Sequence, residues 1–281
     1  MRSALFGLLC CFLSFTFPSW AQQGASAQPA PPTSVLQDPQ AANILNQALT
    51  VAGGASVINA IKDYTATGNI TYHRGEDVSG TVTMNGLDVD QFRLDANLPN
   101  GVFTQSFSDG RIGTKTADGN VSWSSPAAPI PGQTPKPIPS SDSFPYQPPK
   151  FPGSLPVPYL QIATVLSTPR YMISYRGIVN IDGHPTHEIE AQEVFKGRGD
   201  PMSEYNTSDY FIDVSTLRLI MIEDLVPKNV VHQIRYSDYR SVSGVLIPFS
   251  IIEEMGGQAT WEIQLTKIGF NAGLQDSVFA L

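Results

Sequence analysis

The closest approach to a metal-binding motif in this chain is the histidine pair His184 and His187, in the run HPTH. On a helix, histidines three residues apart share a face and could hold one zinc ion. Here the pair follows a glycine, contains a proline and leads into a strand, where residues three apart point to opposite faces. We therefore predict a structural turn and strand at this position, and no metal site.

The acidic residues show no catalytic pairing. Asp118 and Asp182, like Asp109, each precede a glycine, so turn formation accounts for them. Two further acidic pairs, Glu223-Asp224 and Glu253-Glu254, are neighbours in sequence, so each pair splits across the two faces of a strand. We interpret both pairs as solvated strand ends.

Nucleophilic residues give no stronger signal. Both cysteines, Cys10 and Cys11, lie in the N-terminal apolar run, and no Gly-x-Ser-x-Gly sequence occurs. His73 and His232 are isolated in alternating segments, where a lone histidine is usually a surface residue or a satisfied core residue. The chain is therefore predicted to be no enzyme, with no catalytic residue and no cofactor.

The elements that would position any site are mostly strands. Residues 230–270 contain three runs of alternating apolar and polar residues, separated by Ser243-Gly244 and by Gly256-Gly257. A period of two with closely spaced glycine turns predicts an antiparallel meander with one buried face. Residues 64–72, 78–84, 87–94 and 102–107 continue the pattern, with a bulge expected inside 87–94. Residues 171–178, 187–191, 210–214 and 217–224 supply further strands.

Helices are predicted at two places. The first follows Asp38, a good helix cap, and is interrupted by Gly53-Gly54, after which Ser56 is expected to cap the chain again. The second covers residues 159–167 and comes after a proline-rich loop at 126–158, which cannot supply a central strand. On it, Tyr159, Ile162, Ala163 and Leu166 share one face. We predict that residues 154–168 gate the sheet's concave face as a lid; the alternative is a permanent plug.

The N-terminal residues predict export. Residues 1–21 have a basic start, an apolar run and small residues suited to signal peptidase, and 22–40 form a flexible Pro/Ala/Gln linker before a single domain at 41–281. The net charge of −8 argues against nucleic acid and anionic membrane surfaces as partners. No later stretch is long enough to cross a bilayer, so we expect a protein that is not integral to the membrane. We also expect it to be a monomer.

Several segments in order resemble the periplasmic outer-membrane lipoprotein-sorting, or lipoprotein-carrier, family. They are DYTATGNIT at 63–71, SDG at 108–110, FIDVSTLRL at 211–219, YSDYRSVSGVLIPFSI at 236–251 and IGFNAGLQDSVF at 268–279. The resemblance covers residues 41–281. It departs at residues 84–87, Met-Asn-Gly-Leu, where characterised carriers have a basic residue and a proline, so the cargo can differ.

The resemblance implies a mainly β fold with minor α, in which a large curved antiparallel sheet forms a half-open barrel with helices packed on the concave face. It implies a periplasmic or cell-envelope carrier, in a Gram-negative-type bacterium, for a lipidated protein or another acyl-chain ligand. The expected ligand-binding residues line the concave side: Tyr159, Ile162, Ala163, Leu166, Tyr64 and Ile70. The alternative is a non-catalytic envelope scaffold with a filled barrel and no small ligand.

Overall fold

A computed structural model of the chain describes residues 37–108, 111–124, 151–193, 207–226 and 230–281. All of them belong to one compact unit that spans Ser34–Leu281. None of the helices in these ranges is both long and apolar enough to cross a bilayer. The predicted leader (1–21), most of the linker, and residues 126–150 of the proline-rich loop lie outside the described residues.

In the described part of the chain, thirteen antiparallel strands form one sheet that does not close into a barrel. They are β1 Asp63–Arg74, β2 Glu76–Leu87, β3 Gln91–Leu98, β4 Gly101–Ser108, β5 Arg111–Lys115, β6 Val121–Ser124, β7 Tyr171–Ile181, β8 His184–Glu193, β9 Thr207–Asp213, β10 Leu219–Val226, β11 Val230–Val242, β12 Val245–Met255 and β13 Gln258–Phe270. The predicted fold class, a mainly β half-open barrel, is confirmed.

The strand order is β6-β5-β4-β3-β2-β1-β13-β12-β11-β10-β9-β8-β7. Every neighbouring pair but one is also consecutive in sequence, which makes two meanders. They are joined where β1 pairs with β13, with Tyr64 opposite Phe270 and Tyr72 opposite Trp261. This long-range pair places the first strand at the middle of the sheet and leaves β6 and β7 as its edges.

Three α-helices accompany the sheet in the described residues: α1 Pro39–Val51, α2 Ala55–Asn59 and α3 Tyr159–Ser167. Asp38 caps α1 through a carboxylate oxygen that accepts from the backbone N–H of Gln40 at 2.8 Å. The other carboxylate oxygen accepts from the N–H of Tyr175 at 3.3 Å, and the Asp38 N–H donates to Ile173 O at 2.9 Å. The bonds from Gln40, the largest cause, and from Tyr175 lower the pKa of Asp38. The bonds to Tyr175 and Ile173 attach the start of α1 to β7.

The Gly53-Gly54 pair ends α1 for a steric reason. Gly53 has a φ of 120°, and a Cβ at this position would lie 2.3 Å from the carbonyl oxygen of Gly244 in the turn between β11 and β12. The glycine therefore allows α1 to approach that turn closely, where Leu246 N–H donates to Ala52 O at 2.9 Å. The prediction that Ser56 caps α2 is wrong, because Gly54 occupies the N-cap position.

The structure corrects one strand and part of one loop. Residues 87–94 are not a single bulged strand: β2 ends at Leu87, Asp88 has a φ of 50°, and β3 begins at Gln91. The Leu-Asp-Val-Asp sequence is apolar enough to imitate a strand, but its aspartate adopts the left-handed turn conformation that aspartate tolerates. Residues 151–158, predicted to be loop, are buried and include a 3₁₀ turn at Pro152–Ser154.

Other predicted elements are confirmed. The meander at 230–270 comprises β11, β12 and β13, and α3 begins at Tyr159 as expected. The apolar sides of the strands and helices form one hydrophobic core. The C-terminal segment packs on the outer face instead: the Arg93 guanidinium donates to Val278 O at 3.0 Å and Ala280 O at 2.7 Å, and the Ser106 hydroxyl donates to Phe279 O at 2.5 Å.

Candidate functional site

The six side chains predicted to bind a ligand all belong to the core between the helices and the sheet. Five are buried, and Leu166 is partly exposed while it packs against the core; they are Tyr159, Ile162, Ala163, Leu166, Tyr64 and Ile70. Alternation along β1 places Tyr64 and Ile70 on its inner side, as the sequence pattern indicated. All six thus belong to one hydrophobic core, and their role as a ligand site stays a prediction.

Helix α3 is buried on more faces than its sequence pattern predicted. Leu160, Gln161 and Val165 lie off the predicted apolar face, yet all three are buried. A helix that is apolar on nearly every side is typically enclosed in a core. Residues 151–158 are buried as well and lead directly into the helix. In this structure, α3 therefore fills the space inside the sheet.

Tyr159 anchors the start of α3 to two strands. Its hydroxyl accepts from the backbone N–H of Leu219 on β10 at 3.2 Å, and its ring centroid lies 6.2 Å from that of Tyr239 on β11. The Tyr239 hydroxyl donates to the carbonyl oxygen of the same Leu219. The two tyrosines, one on α3 and one on β11, therefore bond to the N–H and the C=O of the same residue. These bonds fix the position of α3 on the sheet.

The core contains many tyrosine hydroxyls. Burial raises the pKa of each of these tyrosines, so all remain neutral at any physiological pH; they are Tyr64, Tyr159, Tyr171, Tyr210, Tyr236 and Tyr239. A neutral tyrosine offers both apolar ring surface and one hydrogen-bonding group. These tyrosines therefore give the inner face apolar ring surface together with neutral hydrogen-bonding groups.

A polar network crosses the inner face between β9 and β13. His232 Nε2 lies 3.0 Å from Glu253 Oε1, and His232 Nδ1 lies 4.0 Å from Asp224 Oδ2. The Ser208 hydroxyl donates to Asp224, and the Thr260 hydroxyl donates to Glu253. His232 and Glu253 are 1% and 0% exposed. We call these five residues the acid–histidine network.

The network overturns one interpretation made from the sequence. The pairs Glu223-Asp224 and Glu253-Glu254 do split across the sheet, but Asp224 and Glu253 are buried and not solvated. The sequence did contain evidence for this. Asp224 comes two residues after Ile222 and Glu253 two residues after Ile251, so each acid faces the same side of its strand as a buried isoleucine. His232 is the satisfied core histidine that the sequence allowed.

The network does not have the geometry of a nucleophilic triad, because the Ser208 hydroxyl bonds to the carboxylate of Asp224 and not to an imidazole. Within the described ranges, no three His, Cys, Asp or Glu side chains are placed to hold a metal ion. His187 bonds through Nδ1 to the Tyr175 hydroxyl at 3.0 Å, whereas His184 is exposed. The acid–histidine network therefore joins neighbouring strands through hydrogen bonds, and we interpret its role as structural.

A second set of acidic groups lies on the outer face. Asp209 on β9 stands between Glu190 on β8 and Glu223 on β10 in the strand pairing. Burial and the charges of Glu190, Glu188, Glu223 and Asp224, in that order, raise the pKa of Asp209 to about 7. Nearby partners moderate the charge: Glu190 pairs with Arg176, and Glu223 accepts from the Gln233 amide at 2.6 Å.

We expect Asp209→Asn to stabilise the domain at pH 8 by about 1–3 kcal/mol, and to have little effect at pH 4. The pKa of Asp209 is about 7 in the folded protein and about 3.9 in the unfolded chain. The wild-type free energy of unfolding therefore falls as the pH rises from about 3.9 to about 7. The asparagine variant has no carboxyl proton to lose, so it stays neutral at both pH values. Urea unfolding at both pH values measures the difference, with the exposed Glu262→Gln as control. Equal gains at pH 4 and pH 8 would contradict the electrostatic cause.

Three solved structures show similar folds. A DUF1329 family protein from Desulfovibrio piger matches 84% of this chain and 97% of its own, at 12% identity and a TM-score of 0.51. A LolA superfamily protein from Nitrosomonas europaea matches 84% and 96%, at 12% identity and 0.51. A candidate outer membrane lipoprotein-sorting domain from Vibrio parahaemolyticus matches 85% and 96%, at 13% identity and 0.49.

Sequence comparison adds no relative: no protein-family model matches the chain, and no curated protein matches it. At 12% identity, the structural likeness establishes the fold and no more. The chain therefore has the fold of LolA superfamily proteins, as the order of its sequence segments indicated.

Proposed function

We propose that the protein is an exported, non-catalytic carrier or binding protein for an acyl chain, such as that of a lipidated protein. The observation that carries the proposal is the unclosed sheet, whose apolar inner face is covered by a short helix from a separate segment of the chain. The fold that the chain shares with a LolA superfamily protein and the many tyrosines of the core support it.

An acyl chain in this protein would lie between α3 and the sheet, so α3 would have to move outward to admit it. Tyr159, Ile162, Ala163 and Leu166 on the helix, with Tyr64 and Ile70 on β1, are the proposed contacts. A chain of about fifteen methylene groups gains roughly 10 kcal/mol gross, at about 0.8 kcal/mol for each buried group. Much of this gain is offset by ordering the ligand and by moving α3. Binding is favourable only if α3 keeps its apolar face covered, by the ligand or by the sheet.

The proposed location is the periplasm or cell envelope. The signal-like residues 1–21 support it. The acidic net charge of −8 is consistent with a carrier that does not adhere to anionic membrane surfaces.

The second candidate is a cell-envelope scaffold whose interior is permanently filled. The observation that favours it is the burial of α3 on several sides, with Leu160, Gln161 and Val165 all enclosed. In this case α3 is a plug that belongs to the core, and the protein takes up no small ligand. Its partners would then bind the outer surface.

Native mass spectrometry of the protein purified from its own periplasm separates the two candidates. Co-purified acyl species, together with saturable uptake of a fluorescent fatty acid, are the results expected of a carrier. A bare chain that never takes up the probe would retire the carrier and leave the scaffold.

A further inference from the structure

Residues 276–281, which we call the strap, cross the outer face of the sheet along a single row of residues. Strand pairing places Arg93 on β3 opposite Ser106 on β4, and Ser106 opposite Gly113 on β5. Gly113 lies opposite Trp123 on β6. The first three residues of the row face outward, because their neighbours along each strand belong to the hydrophobic core or pack against it. We call these four residues the outer row.

Three successive carbonyl groups of the strap accept hydrogen bonds from the outer row. Arg93 Nη1 donates to Val278 O at 3.0 Å and to Ala280 O at 2.7 Å. The Ser106 hydroxyl donates to Phe279 O at 2.5 Å. Because every peptide has a carbonyl group at each position, these bonds fix the path of a bound segment without selecting its sequence.

The Arg93 guanidinium is oriented for these bonds by its own strand. Its Nε and Nη2 donate to the two carboxylate oxygens of Asp95 at 2.7 and 3.0 Å, and the Thr104 hydroxyl donates to Asp95 at 2.6 Å. The side chains of the ion pair are only 24% and 26% exposed. A bidentate pair fixes the plane of the guanidinium, so Nη1 keeps its direction. A donor oriented in advance loses little freedom when a peptide binds.

Two apolar side chains of the strap add a sequence preference. Phe279 is 0% exposed and lies on the outer face, outside the main hydrophobic core. Leu281 lies on the row itself, since a Cβ on Gly113 would stand 2.4 Å from a Leu281 methyl carbon and 2.7 Å from the Trp123 ring. The glycine therefore leaves the space that Leu281 occupies. The row thus accommodates an aromatic residue and, two positions later, an aliphatic residue.

The strap follows a separate anchor. The chain turns at Asn271 and Gly273, whose φ angles are 58° and 78°. The Asp63 carboxylate on β1 accepts from the N–H groups of Ala272 and Gly273 at 2.7 and 2.9 Å. Release of the strap beyond this anchor would leave the pairing of β1 with β13 intact. The donors on the outer row would then bond to water, which limits the cost of release.

We propose that the outer row is a peptide-binding site, which the strap occupies as an internal competitor. Its ligand is an extended segment of a partner protein with an aromatic residue followed, two positions later, by an aliphatic residue. The strap defines this chemistry, because it is seated on the row through its carbonyl groups and those two side chains. The site is on the opposite face of the sheet from the proposed acyl-chain contacts, so it does not depend on the carrier function.

Phe279→Ala in the full-length chain tests the site. A tethered segment competes at an effective concentration on the order of 1 mM, so wild-type protein is expected to bind an added peptide weakly. Loss of the Phe279 ring should release the strap. We expect the variant to bind a fluorescently labelled peptide of residues 276–281 about tenfold more tightly than wild type does, as measured by fluorescence anisotropy. A peptide with alanine in place of its phenylalanine should bind about tenfold more weakly than the unchanged peptide.

Arg93→Met, added to the Phe279→Ala chain, is expected to weaken peptide binding about tenfold, because two hydrogen bonds to carbonyl groups are lost. Arg240→Met is the matched control. Arg240 is another arginine that pairs with an aspartate two residues away, through Nη2 and Asp238 Oδ2 at 2.6 Å, and it lies on β11, away from the outer row. It should leave the peptide affinity unchanged. Equal losses in the two variants would contradict a specific role for Arg93.

Hydrogen exchange of the wild-type chain shows whether the strap separates from the folded protein. The backbone N–H groups of residues 278–281 are expected to exchange about 100-fold faster than those of β3 and β4, because the strap opens locally. Exchange as slow as in those strands would overturn the proposal, as would a Phe279→Ala chain that no longer unfolds cooperatively in urea. Either result would make the strap an integral part of the fold.

Two binding results would also overturn the proposal. One is a Phe279→Ala chain that binds the peptide no better than wild type does, because the outer row would then have no affinity of its own. The other is a wild-type dimer that forms at high concentration and is lost in Phe279→Ala. In that case the occupant would be the strap of a second copy of this chain and not a segment of a partner protein.

Discussion

Replacing Ile162 with aspartate is expected to unfold the domain or to lower its free energy of unfolding by several kcal/mol. Ile162 is 0% exposed at the centre of α3, and its side chain belongs to the main hydrophobic core. An aspartate there would be a buried charge with no partner, which is among the most costly single changes. Urea unfolding followed by circular dichroism measures the loss.

Leu166→Asp is the matched comparison, one helical turn further along α3. Leu166 is partly exposed while it contacts the core, so its aspartate can keep contact with water. We expect this variant to remain folded, with a loss of about 1–2 kcal/mol, and to take up a fluorescent fatty acid markedly less well than wild type if α3 is a lid. The two substitutions thus separate the helix's structural role from its role in binding.

Two results would decide against the lid. If Leu166→Asp unfolds the protein as severely as Ile162→Asp, then α3 is a plug along its whole length. If Leu166→Asp stays folded and takes up the probe as wild type does, the end of α3 has no part in ligand entry. The first result would favour the filled scaffold as the protein's function.

Replacing His232 with leucine is expected to lower the free energy of unfolding by about 3–5 kcal/mol. The change removes the imidazole that lies 3.0 Å from Glu253 and 4.0 Å from Asp224. Two carboxyl groups would then remain in the core, with Thr260 and Ser208 as their bonded partners. Urea unfolding at pH 7 gives the value.

The double variant His232→Leu/Glu253→Leu tests the cause. Apolar replacement of both members of a buried pair is often neutral or stabilising, whereas loss of one member leaves the other uncompensated. We therefore expect the double variant to recover most of the lost stability. A double variant as unstable as the single one would show that leucine does not fit the site, and that packing was responsible instead.

The sequence alone determined the local elements. Alternation in residues 230–270, with Ser243-Gly244 and Gly256-Gly257 between the runs, was sufficient to predict β11, β12 and β13, because the side-chain period of a strand and the turn preferences of glycine are local properties. The cap of Asp38 and the length of α3 were predictable for the same reason. At Asp88, the local signal was ambiguous, since aspartate occurs both in short strands and in left-handed turns.

The tertiary structure decided what those elements enclose. Alternation along β11 placed His232 inward, but only the successive pairing of β9, β10, β11 and β12 brings it together with Ser208, Asp224 and Glu253. Burial of Leu160, Gln161 and Val165 also depended on packing, because α3 contacts α1 and α2 and is bonded to β10 of the sheet through its first residue. Strand periodicity specifies the direction of a side chain, whereas the identity of its neighbours depends on contacts between residues far apart in the chain.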